Sequence, residues 1–355
     1  MRFVPSSCLR EGMITGKDIF GKDGVFLLAK DQIVSNAIVE KIVELGYQGI
    51  YIKDEISADI EIRNVIDDSI RQKAISAVKS MFESLDKNNE KKMEESLEAA
   101  KRLVEDIIDE IMNSKDLIIN MVDLKVFDDY TYYHSVNVAV ISMVIGMTMG
   151  LSRDDLCKLG LGALLHDIGK VFVPKEILNK EGNLSDEEMQ LVRNHAEDGY
   201  AYLKEKWDIP IKSCLAVLIH HERYNGTGYP KGKRNDKIHL FGRIIAVADV
   251  YDAFTSDRPY RKAVLPSDAV EYIMGASGVY FDPEVVRIFV QKVAPYPLGT
   301  CVKLSNGNVG IVIDNYEDVC LRPKIRLLNT DEEVIIDLKN DSDSWNITII
   351  GVEEI

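Results

Sequence analysis

Between Tyr51 and Ile145 the chain contains neither glycine nor proline. These residues are the usual punctuation of turns and loops, so their absence over such a length excludes a middle built of short strands and leaves long helices. Positive charge is also in short supply: 43 lysines and arginines stand against 58 aspartates and glutamates, a formal net charge of -15. That balance excludes broad binding to large nucleic acids, which takes many Lys and Arg contacts to phosphates. Any anionic ligand must be held locally. Cysteine is sparse: Cys8, Cys157, Cys214, Cys301 and Cys320 lie far apart, form no CxxC pair and are odd in number. A disulfide scaffold is therefore not expected, and a reducing cytoplasm is. No basic region followed by an apolar signal core opens the sequence. The best apolar stretch, Val136 to Met149, is interrupted by Asn137, Ser142 and Thr148. It is too short and too polar to span a bilayer and reads as a buried helix.

At 355 residues the chain exceeds what one ordinary core organises, so several domains are expected. In the first segment Gly21-Lys22-Asp23-Gly24 precedes the apolar run Val25 to Leu28, a helical pattern covers Ser35 to Leu45, Gly46 ends it, and Ile50 to Ile52 begins a strand. This predicts a small α/β accessory domain over 1–60. Ile66, Ile70, Ala74, Val78 and Phe82 form one apolar stripe, and Met93, Leu97, Ala100, Val104, Ile108 and Ile111 form another beyond a polar stretch at Asp86 to Lys92. Residues 61–115 thus read as a helical hairpin, or as a linker that pairs with a second subunit. These stripes are core or dimer contacts and carry no chemistry. After Pro295 the pattern changes to alternation, with Val302 and Leu304, a turn at Asn306-Gly307, then Val309, Ile311 and Ile313. A small β-barrel or sheet is expected over 296–355.

The chemistry lies between. Of six histidines, His134, His166, His195, His220 and His221 fall in the middle third, and only His239 stands apart. A single buried histidine is more often a hydrogen-bonded core residue than a metal ligand. Five together reverse that expectation, above all the His220-His221 pair after the apolar run Leu215 to Ile219, where burial without partners would be costly. His166 is followed by Asp167 inside the helical pattern Leu156 to Leu165, Ser185 and Glu188 form a capping box for the helix carrying His195, and Asp249 closes the run Ile244 to Ala248. Imidazole with carboxylate suits iron, manganese or zinc. Consecutive helical residues point about 100° apart, so His166 and Asp167 suit adjacent ions with the carboxylate between them. Such a pair of ions activates water and neutralises phosphoryl charge, which is the chemistry of phosphoester cleavage.

The runs His166-Asp167-Ile168-Gly169-Lys170 and His220-His221-Glu222-Arg223-Tyr224-Asn225-Gly226-Thr227-Gly228-Tyr229-Pro230 resemble the two signatures of the HD-GYP family, and Asn194-His195 and Asp249-Val250-Tyr251-Asp252-Ala253 match it in between and after. The resemblance covers 116–295. It implies a multidomain, mainly α protein whose catalytic domain is all-helical and of the HD type, acting as a phosphodiesterase on cyclic di-GMP. It further implies two divalent transition-metal ions, iron or manganese. One would be held by His134, His166, Asp167 and Asp249, the other by His195, His220 and His221, with Asp167 bridging. Asp167 and Lys170 are the implied catalytic residues. Lys170, Arg258 and Arg261 are the implied phosphate contacts, and Gly228 and Tyr229 shape the substrate loop, where Gly226 and Gly228 allow a tight turn. The amino-terminal segment resembles accessory domains with a regulatory or assembly role.

Two departures from the family pattern stand out. Asn225 replaces the usual Asp, removing a charge while keeping hydrogen-bonding capacity. Tyr130 occupies the place of a Glu that serves a third metal in some members, with Asp128 and Asp129 poorly placed to substitute, which favours two ions. The expected reaction is in-line attack of water on phosphorus with departure of the ribose 3′-oxygen, giving the linear dinucleotide, with further cleavage to GMP left open. The competing expectations are an HD-type hydrolase of another cyclic dinucleotide or nucleotide, and a catalytically weak cyclic di-GMP receptor acting through a protein partner.

Overall fold

The computed structural model describes residues 1–353 apart from 21–25, 46, 48, 63–64, 114–117, 120–129, 181, 257–262 and 331. The expected turn at Gly21 to Gly24, the helix stop at Gly46, and Asp128, Asp129, Arg258 and Arg261 therefore lie outside the described residues. The chain divides into two compact units, one of residues 1–64, 118–130 and 290–355, the other of 65–117 and 131–289.

In the first unit β1 (Arg2–Pro5), β2 (Ile14–Thr15) and β5 (Gly49–Lys53) form an antiparallel sheet with β5 central, and β3 (Ile19–Phe20) pairs with β4 (Phe26–Leu28). Helix α1 (Asn36–Glu44) starts where the Ser35 side chain accepts the Ile38 N–H, supplying one of the bonds that a helix start lacks. The alternating tail forms the antiparallel order β10-β6-β7-β8-β9, from β6 (Cys301–Leu304), β7 (Val309–Asp314), β8 (Lys324–Leu327), β9 (Ile335–Asp337) and β10 (Ile349–Val352). The two ends of the chain were expected as separate domains, yet Tyr51, Ile60 and Ile62 pack in one cluster with Cys301 and Ile311. The Arg326 guanidinium also grips Asp59 with two bonds, of 2.7 and 2.8 Å. Segments this short bury little apolar surface alone, and pooling it gives them a shared core.

The second unit is helical. Helices α2 (Asp68–Asp86) and α3 (Glu90–Asn113) form the hairpin anticipated by their stripes. The α3 stripe from Met93 to Ile111 is fully buried, and α3 packs on α5 (Arg153–Leu164). Helix α4 (Tyr130–Thr148) is buried on every side from Ser135 to Ile145, which accounts for its nearly uninterrupted apolar run. The short α6 (Lys175–Leu178), then α7 (Asp186–Arg193), α8 (His195–Lys206), α9 (Ile211–Ile219), α10 (Leu240–Phe254) and α11 (Pro266–Gly275) follow, and α12 (Pro283–Lys292) leads out. Helix α9 is packed by α5, α8 and α10. Among the described residues no helix is long and apolar enough to cross a membrane.

Two local expectations are corrected. The capping box of Ser185 and Glu188 opens α7, not the helix bearing His195; α7 ends at Arg193 and His195 begins α8. Helix α5 stops at Leu164, so His166 and Asp167 sit in a turn, and Ile168–Phe172 continues as a 3-10 helix. The 3-10 helix seats Gly169 against the start of α8, where a Cβ would stand 2.0 Å from the His195 carbonyl oxygen and 2.7 Å from the Gly199 nitrogen. Backbone meets backbone there, and only glycine fits. Gly169→Ala is expected to cost at least about 3 kcal/mol, the upper range for overpacking because no flexible side chain can yield. Urea unfolding measures it, and a loss below about 1 kcal/mol would show that the two segments can part freely.

Candidate metal centre

The turn after α5 places Asp167 among five histidines. Its Oδ1 lies 3.4 Å from His195 Nε2, while its Oδ2 lies 3.4 Å from His166 Nε2 and 3.9 Å from His134 Nε2. Two clusters result, His134-His166-Asp167 and Asp167-His195-His220-His221, each with its ligand atoms within 4.8 Å of one another and with Asp167 in both. Asp249, on α10, stands beside them, its Oδ1 3.1 Å from His134 Nε2 and its Oδ2 3.8 Å from His221 Nδ1. All the residues nominated as ligands are thus brought together.

Each helix end contributes in one way. His166, His195 and His220 donate Nδ1–H to the carbonyl three residues back, those of Ala163, Val192 and Val217, at 2.7, 2.6 and 2.7 Å. A carbonyl can only accept, so the proton is fixed on Nδ1 and the Nε2 lone pair is turned inward. His166 Nε2 is buried without a hydrogen-bond partner. His195 Nε2 and His220 Nε2 approach to 3.3 Å, two lone pairs face to face. A cation resolves both defects, and the donor set of imidazoles and carboxylates fits a divalent transition metal.

Electrostatics agree with ligand duty. Burial pushes His195, His220 and His221 below the usual imidazole range, toward the neutral form that binds metal. For Asp167 burial acts upward, but Lys170 and His166 outweigh it and hold the carboxylate ionised. Asp249 follows the same balance, with the His134 hydrogen bond prevailing over burial. Burial also acts downward on His134, but the hydrogen bonds to Asp249 and Asp252 leave it raised.

Lys170 lies on the 3-10 helix beyond Asp167 and not on an α-helix continuing from His166. On the 3-10 helix it pairs with Asp167 Oδ2 at 2.5 Å and keeps its side chain 31 % exposed. His221 is 27 % exposed, so these two mark the open side of an otherwise closed centre. The Tyr229 ring stacks on His221 with centroids 4.7 Å apart, and the Arg193 guanidinium lies 5.4 Å from that ring's centroid. Gly226 takes φ +79°, as a tight turn requires. Gly228 is needed for a different reason: a Cβ there would meet the Arg223 nitrogen at 2.3 Å. Asn225 serves through its Oδ1, which accepts from the Thr227 N–H and hydroxyl at 3.0 and 2.7 Å. His239 caps α10, its Nδ1 accepting the Phe241 N–H at 3.2 Å, an ordinary structural task.

Sequence reasoning missed three residues. Glu222 is buried and accepts the Lys231 and Lys233 N–H groups at 2.8 and 3.0 Å, pinning the loop that follows the histidine pair. Asp252 accepts His134 Nδ1–H at 2.7 Å and the Asn137 amide at 2.9 Å. Its spacing of one helical turn from Asp249 was the available signal; Asn137 carried none.

Residues 102–285 match the HD domain family. The chain is 36% identical over 273 residues to a cyclic di-GMP phosphodiesterase of Pseudomonas aeruginosa, covering 75% of this chain and 64% of that protein. It is 32% identical over 256 residues to a cyclic di-GMP phosphodiesterase of Thermotoga maritima, covering 72% of this chain and 67% of that protein. A 3'3'-cGAMP-specific phosphodiesterase of Vibrio cholerae is 38% identical over 154 residues, 43% of this chain and 35% of that protein. The chain belongs to the HD domain family, in its HD-GYP branch. It spans just under two thirds of the length of the Pseudomonas protein.

The shifts give a pH signature for the metal-free protein. Histidines with lowered values cost nothing above their ordinary value of about 6.5 and oppose folding increasingly below it. The depressed Asp167 and Asp249 add stability that is lost as pH falls through their folded values. His134, raised, acts in the opposite sense, favouring the fold below its ordinary value, but it is one group against four, since burial lowers His239 as well. Chelator-treated protein is expected to lose melting temperature from about pH 7 to pH 5, with a slope of up to about 1.4 kcal/mol per pH unit for each net proton. A flat profile across that window would contradict a set of buried neutral imidazoles.

Proposed function

We propose that this chain is a metal-dependent phosphodiesterase that hydrolyses cyclic di-GMP to linear pGpG and, by a further cleavage, to GMP. The observation that carries this reading is Asp167, buried, with one oxygen toward each histidine cluster. Two divalent transition-metal ions, iron or manganese, would be held by His134, His166 and Asp249 on one side and by His195, His220 and His221 on the other, with Asp167 common to both. Bound there, they supply Lewis acidity for water and neutralise charge on the phosphoryl group.

The chain's own groups complete the site. Asp167 and the fixed imidazole tautomers set the geometry before substrate arrives. Lys170, at the open edge, meets a non-bridging phosphate oxygen and stabilises the charge that grows as water adds to phosphorus and the ribose 3′-oxygen leaves. Tyr229, whose hydroxyl burial keeps protonated, holds the His221 ring and walls the entry. Arg258 and Arg261 belong to this reading on sequence grounds and would add phosphate contacts within an acidic protein. Five free cysteines and a nucleotide messenger as substrate fit a cytoplasmic protein, and the amino-terminal segment fits a regulatory role.

The relative specific for 3'3'-cGAMP supports a second substrate reading, since the metal set does not read the base. Anaerobic purification with metal analysis, then chromatography of products from cyclic di-GMP, 3'3'-cGAMP and cyclic di-AMP, tests the proposal. Two ions per chain and fastest release of pGpG are expected. A third ion, faster turnover of another dinucleotide, or binding without turnover would each overturn the corresponding part.

Asp167→Ala is expected to lose metal from both clusters and at least about a thousandfold in single-turnover rate. Lys170→Ala should keep both ions and lose about a hundredfold, because a protonated amine is no ligand. Metal content measured beside rate separates them, and an Asp167→Ala protein holding both ions would refute the bridge. Arg258→Ala or Arg261→Ala should raise the substrate dissociation constant about tenfold with metals retained; unchanged affinity would return both to solvated surface.

A further inference from the structure

His134 is set apart from His166, His195 and His220. Those three take their Nδ1 partner from a backbone carbonyl three residues back, which is fixed by the local helix end. His134 takes its partner from a side chain, Asp252 Oδ2 on α10, at 2.7 Å. Behind Asp252 the bonds continue. Its Oδ1 accepts the Asn137 amide N–H at 2.9 Å, and Asn137 Oδ1 accepts from the Arg71 guanidinium at 2.9 Å. Arg71, Asn137, Asp252 and His134 are all buried.

The direction of this chain is dictated by its first member. A guanidinium only donates, so Asn137 must present its oxygen to Arg71 and its NH2 to Asp252. Asp252 thereby accepts the Asn137 amide on Oδ1 and the His134 Nδ1–H on Oδ2, which also takes the Ser256 hydroxyl at 3.3 Å, and this turns His134 Nε2 toward Asp167 and Asp249. Arg71 belongs to α2, outside the residues 102–285 that match the HD domain, and α2 is the first helix of its unit after the amino-terminal segment.

We propose that Arg71 is a positioning residue for the metal ligand His134, acting through Asn137 and Asp252, so that the placement of α2 governs how firmly the centre holds its ion. This rests on the metal-centre reading above. Partners in the shell behind a ligand typically change metal affinity by about 10–100-fold, and a residue two bonds further out falls at the lower end.

The test is Mn²⁺ binding to chelator-treated full-length protein by calorimetry, with the melting temperature of each metal-free variant recorded. Arg71→Met keeps the apolar stem and removes the donor; it is expected to weaken Mn²⁺ binding about tenfold. Arg71→Lys, which restores a donor, should recover most of the loss. The double variant Arg71→Met with Asp252→Ala should bind no more weakly than Asp252→Ala alone, since both act through one route. Met81→Ala, a core truncation on the same helix, should lower the melting temperature without changing Mn²⁺ affinity. Arg71→Met with wild-type affinity and a lowered melting temperature would make Arg71 merely structural and overturn the proposal, as would strictly additive losses in the double variant. Should Arg71→Met fail to fold, Asn137→Ala carries the same comparison, and wild-type affinity in Asn137→Ala overturns the route. Wild-type protein that binds no Mn²⁺ and purifies without metal would instead remove the metal centre itself.

Discussion

A fully buried carboxylate surrounded by imidazoles is the constraint on which the rest of the helical unit turns. Asp167 cannot be ionised inside a protein without compensation, and its compensation comes from Lys170 on one side and the histidine cage on the others. To place it there, α5 must stop at Leu164 and the chain must tighten into a 3-10 turn. That turn in turn must lie directly on the start of α8, which is why Gly169 and Gly199 face each other. The motif His-Asp-Ile-Gly-Lys is therefore one device: ligand, bridge, spacer, close approach and counter-charge in consecutive residues.

The second rule of the site is repetition at helix ends. Three histidines sit at or beside a helix terminus and spend Nδ1 on a backbone carbonyl, so local geometry alone orients them. Helix ends leave carbonyls unsatisfied, and a histidine placed there solves two problems together: it satisfies a carbonyl and acquires a defined tautomer. His134 lies within α4 instead and depends on side chains from α10 and α2. The centre thus has a rigid half and a half tied to tertiary packing.

The loop after the histidine pair shows how a signature can be kept while its letters vary. Asn225 makes the hydrogen bonds that a carboxylate oxygen would make, and Glu222 ties the loop down through two backbone N–H groups. Their work is to hold Tyr229 against His221.

Residue types and spacing determined a good deal of this protein. The absence of breakers fixed the helical middle, the two stripes fixed the α2–α3 hairpin, and the histidine census with its acidic neighbours nominated every member of the cage. These were legible because they rest on local periodicity and on donor chemistry, both written in the linear order of residues. What only the tertiary structure decided depends on approach between distant segments. The seating of Gly169 directly against the backbone of the α8 start joins segments that are apart in sequence. The pooling of both chain ends into one core arises from apolar area that neither segment can bury alone. The wire from Arg71 to His134 joins residues 66, 115 and 118 positions apart in successive bonds. No local pattern marks such partners, because a buried hydrogen bond is specified by where two elements meet.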